Sequence, residues 1–173
     1  VGMAAKRQGT IEICYVDCFS GPWGTSELES TSIAVSLRTM AKCRQKLAEL
    51  GVTASMRALY IERDDEAFGN LERYLDSATP DTVSAKCFHG DFVDLREQIL
   101  TWSGRDAFTF FFIDPKGWKS IGIEKLRPLL QRPRSEFLIN FIYDFINRTA
   151  SMAEWQSDIA EFLGVSIGAV QEL

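Results

Sequence analysis

The stretch Phe110-Phe111-Phe112-Ile113-Asp114-Pro115-Lys116-Gly117-Trp118 confines the fold more than any other part of this chain. An unbroken apolar run of this length reads as a strand buried on both faces, the habit of a central strand in a parallel sheet. Pro115 stops the strand, and Gly117 lets the backbone approach a neighbour closely. Asp114 is thereby placed at the carboxyl end of a central strand, where open α/β sheets hold their ligands.

The rest of the chain alternates strand and helix patterns around that run. Ile11 to Cys18 reads as the first strand, followed by a loop carrying Gly21, Pro22, Trp23 and Gly24. Ser30, Thr31 and Ser32 supply N-cap chemistry for a helix from Ile33 to Leu50 that stops at Gly51. Strands are expected over Arg57 to Glu62, Val83 to Phe88, Phe108 to Ile113 and Glu136 to Ile142. Helices are expected over Asp64 to Leu75, Phe92 to Trp102 and Ile123 to Leu130, and through the tail from Met152 to Leu163 and beyond. Such alternation implies a parallel sheet with helices on both faces, a doubly wound α/β fold joined by right-handed crossovers. No repeat, low-complexity tract or linker interrupts the pattern, so residues 1–173 are expected to form one domain.

Composition narrows the class further. The chain is 46% apolar and has 12 Phe and 4 Trp, enough for a large aromatic core. No apolar run approaches the roughly 18 residues that span a bilayer, and Val1 to Thr10 lacks the apolar segment of a secretory signal. The expectation is a cytoplasmic protein without a membrane partner. Cys14, Cys18, Cys43 and Cys87 make no C-x-x-C pair, and His89 is the only histidine, so no metal site is expected. The thiols read as buried and free. His89 reads as a strand-end residue without catalytic duty. A net charge of −5 argues against indiscriminate coating of nucleic acid. Yet Pro115 to Ser135 carries Lys116, Lys119, Lys125, Arg127, Arg132 and Arg134 against Glu124 alone. That stretch is either a solvated surface or a rim that draws an anionic substrate.

Acids recur where the chemistry would sit. Asp17, Glu62, Asp91 and Asp114 each lie at or just past the carboxyl end of one of the first four strands. A nucleoside-type ligand across the point where strand order reverses would use them in turn. Gly21 would let the backbone approach the ligand, Glu62 would accept hydrogen bonds from ribose hydroxyls, and Asp91 would take an exocyclic amine or cap a helix. Asp114 would face the reacting end. The loop is not G-x-G-x-x-G, and Glu62 lies well beyond the roughly 20-residue interval of a dinucleotide fingerprint. No G-x-x-x-x-G-K-[ST] is present either.

This constellation resembles the class I S-adenosylmethionine-dependent methyltransferases. Asp17-Cys18-Phe19-Ser20-Gly21 is similar to their first motif, and Glu62, Asp91 and Asp114-Pro115 fall where the next three belong. Within that superfamily the likeness is to the three-Cys-motif partner (TcmP) family. Tyr15 to Trp23, Thr31 to Ala34, Phe112 to Trp118, Ser135 to Phe141 and Arg148 carry it. The resemblance covers about residues 11 to 150. It implies a Rossmann-like methyltransferase fold with strand order 3-2-1-4-5. Family members are longer, so the last strands of the sheet are expected beyond this chain. The resemblance also implies S-adenosylmethionine as cofactor, held by Asp17, Phe19, Ser20, Gly21, Glu62 and Asp91. The implied partner is a three-cysteine-motif protein resembling radical S-adenosylmethionine proteins.

Two positions depart from the wider superfamily. Trp23 replaces a second glycine, where the indole would crowd the cofactor or wall its pocket. Asp114-Pro115-Lys116-Gly117-Trp118 replaces the D-P-P-Y of amine-methylating enzymes, with the aromatic one residue later. The leading expectation is a methyltransferase acting on a nucleic-acid base or other anionic substrate. Asp114, Pro115, Lys116 and Trp118 would form its catalytic segment, and Lys116 and Lys119 would hold phosphates. Asn140, polar within an apolar strand, is either structural or faces the site. The alternative is a non-catalytic interaction module that retains the fold.

Overall fold

A computed structural model describes residues 10–21, 28–117, 121–140 and 143–172. Five strands form one sheet: β1 (Ile11–Asp17), β2 (Ala54–Glu62), β3 (Ser84–His89), β4 (Phe108–Ile113) and β5 (Ser135–Ile139). Their order is β3-β2-β1-β4-β5, all parallel, as the resemblance implies. The order reverses between β1 and β4, so these two adjacent strands send their chains to opposite sides. The helices are α1 (Ser32–Glu49), α2 (Asp65–Ala78), α3 (Arg96–Ser103), α4 (Ile123–Leu130), α5 (Tyr143–Thr149), α6 (Ala153–Leu163) and α7 (Ile167–Gln171). Among the described residues no helix is long and apolar enough to cross a membrane.

The chain packs as two compact units, one through Ile113 together with Pro133–Leu138, the other Asp114–Arg132 with Ile139–Leu173. In the first, strand pairing sets which side chains share a face. Ile11, Ile13 and Tyr15 of β1 pair with Ala54, Met56 and Ala58 of β2, so these residues look to one side. Ile33, Leu37, Met40 and Leu47 of α1 and Leu71 and Leu75 of α2 join the core cluster containing Met56, Ala58 and Tyr60 on that side. α3 covers the other side. There Arg57 donates from Nη2 to the Ser103 carbonyl and to Cys14 Sγ, both at 3.2 Å. Its guanidinium also lies 4.6 Å from the Trp102 ring centroid. Helices on both faces make the sheet doubly wound.

β4 and α4 occupy their expected spans. β2 begins earlier than expected, because Ala54 to Met56 are drawn into the ladder by Ile11 to Ile13. α3 starts late, at Arg96, because Asp91 to Leu95 form a turn first. Residues 141 and 142 of the expected fifth strand lie outside the described residues. Cys14 and Cys18 are buried, but Cys43 is exposed on α1, contrary to the expectation of four buried thiols. An 18-residue amphipathic helix must turn one stripe to solvent, and Cys43 lies on it.

The second unit is helical. Leu126 and Leu129 of α4, Ile146 of α5, Ile159 and Phe162 of α6 and Val170 of α7 are among its buried apolar residues. Gly164 ends α6 in the left-handed region at φ 67, and a Cβ there would stand 2.3 Å from Ile123 Cγ2, so the helix end meets α4 at a glycine.

Candidate functional site

The carboxyl end of β1 anchors the site through a buried acid. Asp17 is 0% exposed. Its Oδ1 accepts the Phe19 N–H at 3.1 Å and its Oδ2 accepts the Ser32 hydroxyl at 2.9 Å. A buried carboxylate needs such donors. The first turn of α1 also turns its positive dipole end toward the charge. Thr31 caps that helix by accepting the Ala34 N–H, which frees Ser32 for Asp17. Asp17 therefore ties the loop after β1 to α1.

Ser20 stitches the same loop to β2. Its N–H donates to the Ile61 carbonyl at 2.9 Å, and its hydroxyl accepts the Ile61 N–H at 3.1 Å. The hydroxyl in turn donates to the Asp17 carbonyl at 3.3 Å. The loop thus runs as a continuation of the sheet and delivers Gly21 to the end of β2. Glu62 waits there, only 8% exposed. Its Oε1 accepts the N–H groups of Arg63 at 2.7 Å and Asp64 at 2.8 Å. Its Oε2 faces Gly21 so closely that a Cβ on Gly21 would stand 2.2 Å away. Any side chain at this position would force the Glu62 carboxylate to shift.

Asp91 stands beyond β3. Its Oδ1 accepts the Val93 N–H at 2.8 Å, and its carbonyl accepts from Asp94 and Leu95 at 3.1 Å. This is a side-chain-closed turn and not a cap of α3, whose N-cap is Leu95. Gly90 N–H donates to the Glu62 carbonyl at 2.9 Å, which carries the sheet pairing up to Asp91. Phe19 leans on the buried Phe92 ring at 5.3 Å between centroids. The structure therefore brings Asp17, Phe19, Ser20, Gly21, Glu62 and Asp91 to one edge of the first unit.

The hydroxyls and thiol beneath this edge stay neutral. Burial, then the Asp17 charge, pushes the Tyr15 phenol far up and raises the Cys18 thiol well above its usual range. Burial also raises Tyr60, against the lowering effect of its 2.9 Å hydrogen bond with Ser36. The site's negative charge is carried by carboxylates, with Arg63 Nη1 3.9 Å from Asp91 Oδ2 at the rim and neutral donors and acceptors packed below.

Asp114 opens the second unit, directly after β4 in the chain. It is exposed, and its Oδ1 accepts the Asn140 amide at 2.7 Å. Asn140 thus orients Asp114. Pro115 is buried and Lys116 exposed. Trp118, Lys119 and Trp23 lie outside the described residues. The basic stretch is not a uniform solvated face: Arg127 is engaged by Glu124 through Nε at 2.8 Å, and Arg132 is buried. The sequence reading passed over Ser32 and Ser36 as parts of the site. They fall one helical turn apart, on the face of α1 that meets Asp17 and Tyr60.

No family model, curated protein or solved structure matches this chain.

Proposed function

We propose that this protein is a methyltransferase-like protein of the TcmP type that binds S-adenosylmethionine at the edge formed by Asp17, Gly21, Glu62 and Asp91. The observation that carries the reading is the Gly21–Glu62 contact. A nearly buried carboxylate lies against a glycine at the carboxyl end of a parallel strand, next to the strand-order reversal. That arrangement suits a ligand with vicinal hydroxyls pressed close to backbone. Glu62 would accept those hydroxyls, Asp91 would meet the base, and Asp17 would hold the loop without touching ligand. When bound, the cofactor supplies an activated methyl group.

Asp114, held by Asn140, is assigned to the nucleophilic atom of the substrate, and Lys116 to an anionic group such as a phosphate. A nucleic acid is the proposed substrate, and a three-cysteine-motif protein the proposed partner. Incubation with methyl-labelled S-adenosylmethionine and single-stranded RNA or DNA, with and without that partner, tests this. Labelled polymer is expected, falling about 100-fold or more in Asp114→Ala. A protein that binds the cofactor but labels nothing would contradict the catalytic assignment.

A second reading is a non-catalytic module that keeps the fold. Glu62 favours it in one respect: its Oε1 is already taken by two backbone donors, as in a purely structural acid.

A further inference from the structure

We infer that His89 is a positioning residue that sets the aim of the Glu62 carboxylate by clamping the turn after β2. The inference rests on the reading of Glu62 as a ligand-binding acid, but its structural half stands apart from it. His89 ends β3 opposite Glu62 in the ladder. Its Nε2 lies 3.2 Å from the Arg63 carbonyl and 3.1 Å from Asp65 Oδ1. Both neighbours are acceptors, so Nε2 carries a hydrogen and is shared between them. The Phe68 ring of α2 stacks on the imidazole at 4.7 Å between centroids, which fixes the ring plane.

The consequence follows along the chain. Arg63 and Asp64 are the residues whose N–H groups hold Glu62 Oε1. The turn that presents those donors is gripped from its other side by His89, at Arg63 and at Asp65. The Arg63 carbonyl shares its peptide plane with the Asp64 N–H, so holding it fixes the direction of that N–H, while the Arg63 N–H shares its plane with the Glu62 carbonyl, which Gly90 holds. With Oε1 pinned, Oε2 is left facing Gly21, toward the edge where a ligand hydroxyl would bind. The single imidazole of the chain thus acts on the site through backbone, without touching ligand.

A double-mutant cycle on the whole protein tests this, with S-adenosylmethionine as titrant and amide hydrogen exchange as a second readout. His89→Ala is expected to weaken binding about fivefold, the loss of one hydrogen-bonded support. In a Glu62→Ala background it is expected to weaken binding no further. Exchange of the Arg63 and Asp64 amides is expected to speed up in His89→Ala, while the Leu59 amide of the buried β2 core keeps its rate. Equal weakening by His89→Ala in both backgrounds, or unchanged exchange at Arg63 and Asp64, would overturn the inference. If the wild-type protein binds no S-adenosylmethionine, the functional reading fails, and the exchange measurement alone decides whether His89 holds the turn.

Discussion

Replacing Phe111 by Ala is expected to lower the unfolding free energy by about 3–5 kcal/mol. Phe111 is fully buried in β4, and its ring stacks on Phe137 of β5 with centroids 5.2 Å apart. β4 in turn pairs with β1 through Val16, the residue before Asp17. Truncation leaves a ring-sized void in a layer whose other members are held in ladder register and cannot collapse into it. Denaturant titration checks this: the midpoint should fall with an unchanged slope. A loss under about 1 kcal/mol would mean that the apolar run of β4 is not the centre of the sheet.

Gly21→Ala is expected to act on binding as well as on folding. The added methyl would stand 2.2 Å from Glu62 Oε2. Glu62 must then swing away and give up the N–H groups of Arg63 and Asp64. Charge-assisted hydrogen bonds of this kind contribute roughly 1.5–3 kcal/mol, so affinity for S-adenosylmethionine should fall roughly 10- to 100-fold. The thermal midpoint should fall by several degrees as well, because the same hydrogen bonds hold a nearly buried carboxylate in the folded chain. Unchanged affinity in Gly21→Ala would show that the Glu62 carboxylate takes no part in holding ligand.

The outline of the fold was legible because strong local signals agreed with the global one. Phe108 to Ile113 is apolar but for Thr109 and ends at Asp-Pro, so its bounds could be read from the chain. Ile123 to Leu130 was likewise marked by its apolar spacing. The start of β2 was hidden. Ala54, Ser55 and Met56 have modest strand propensity and become a strand only because β1 offers them partners. α5 is too short for a helical period to show, at seven residues. The delayed start of α3 traces to Asp91, whose carboxylate closes a turn where a cap was an equal alternative.

At the site, the sequence located the acids but not what each does. Asp17 and Glu62 look alike in the chain, each ending a strand before a turn. The structure separates them. Both Asp17 oxygens are spent inward, on Phe19 and Ser32, whereas Glu62 keeps Oε2 toward Gly21. That difference depends on the loop folding back against β2, through the Ser20–Ile61 bonds, over a separation of forty-one positions in the chain. Non-local pairing of this kind leaves no periodic trace. The same holds for His89, which reads as an ordinary strand end until the turn after β2 is seen against it.

Calorimetric titration of the protein with S-adenosylmethionine, in parallel with Glu62→Ala, tests the central claim most directly: that the acids at the tips of β1 to β3 frame one nucleoside-binding edge. Saturable heat with the wild-type protein, weakened tenfold or more by Glu62→Ala, is the expected result. Absence of heat with the wild-type protein, or equal affinity in the two proteins, would contradict it.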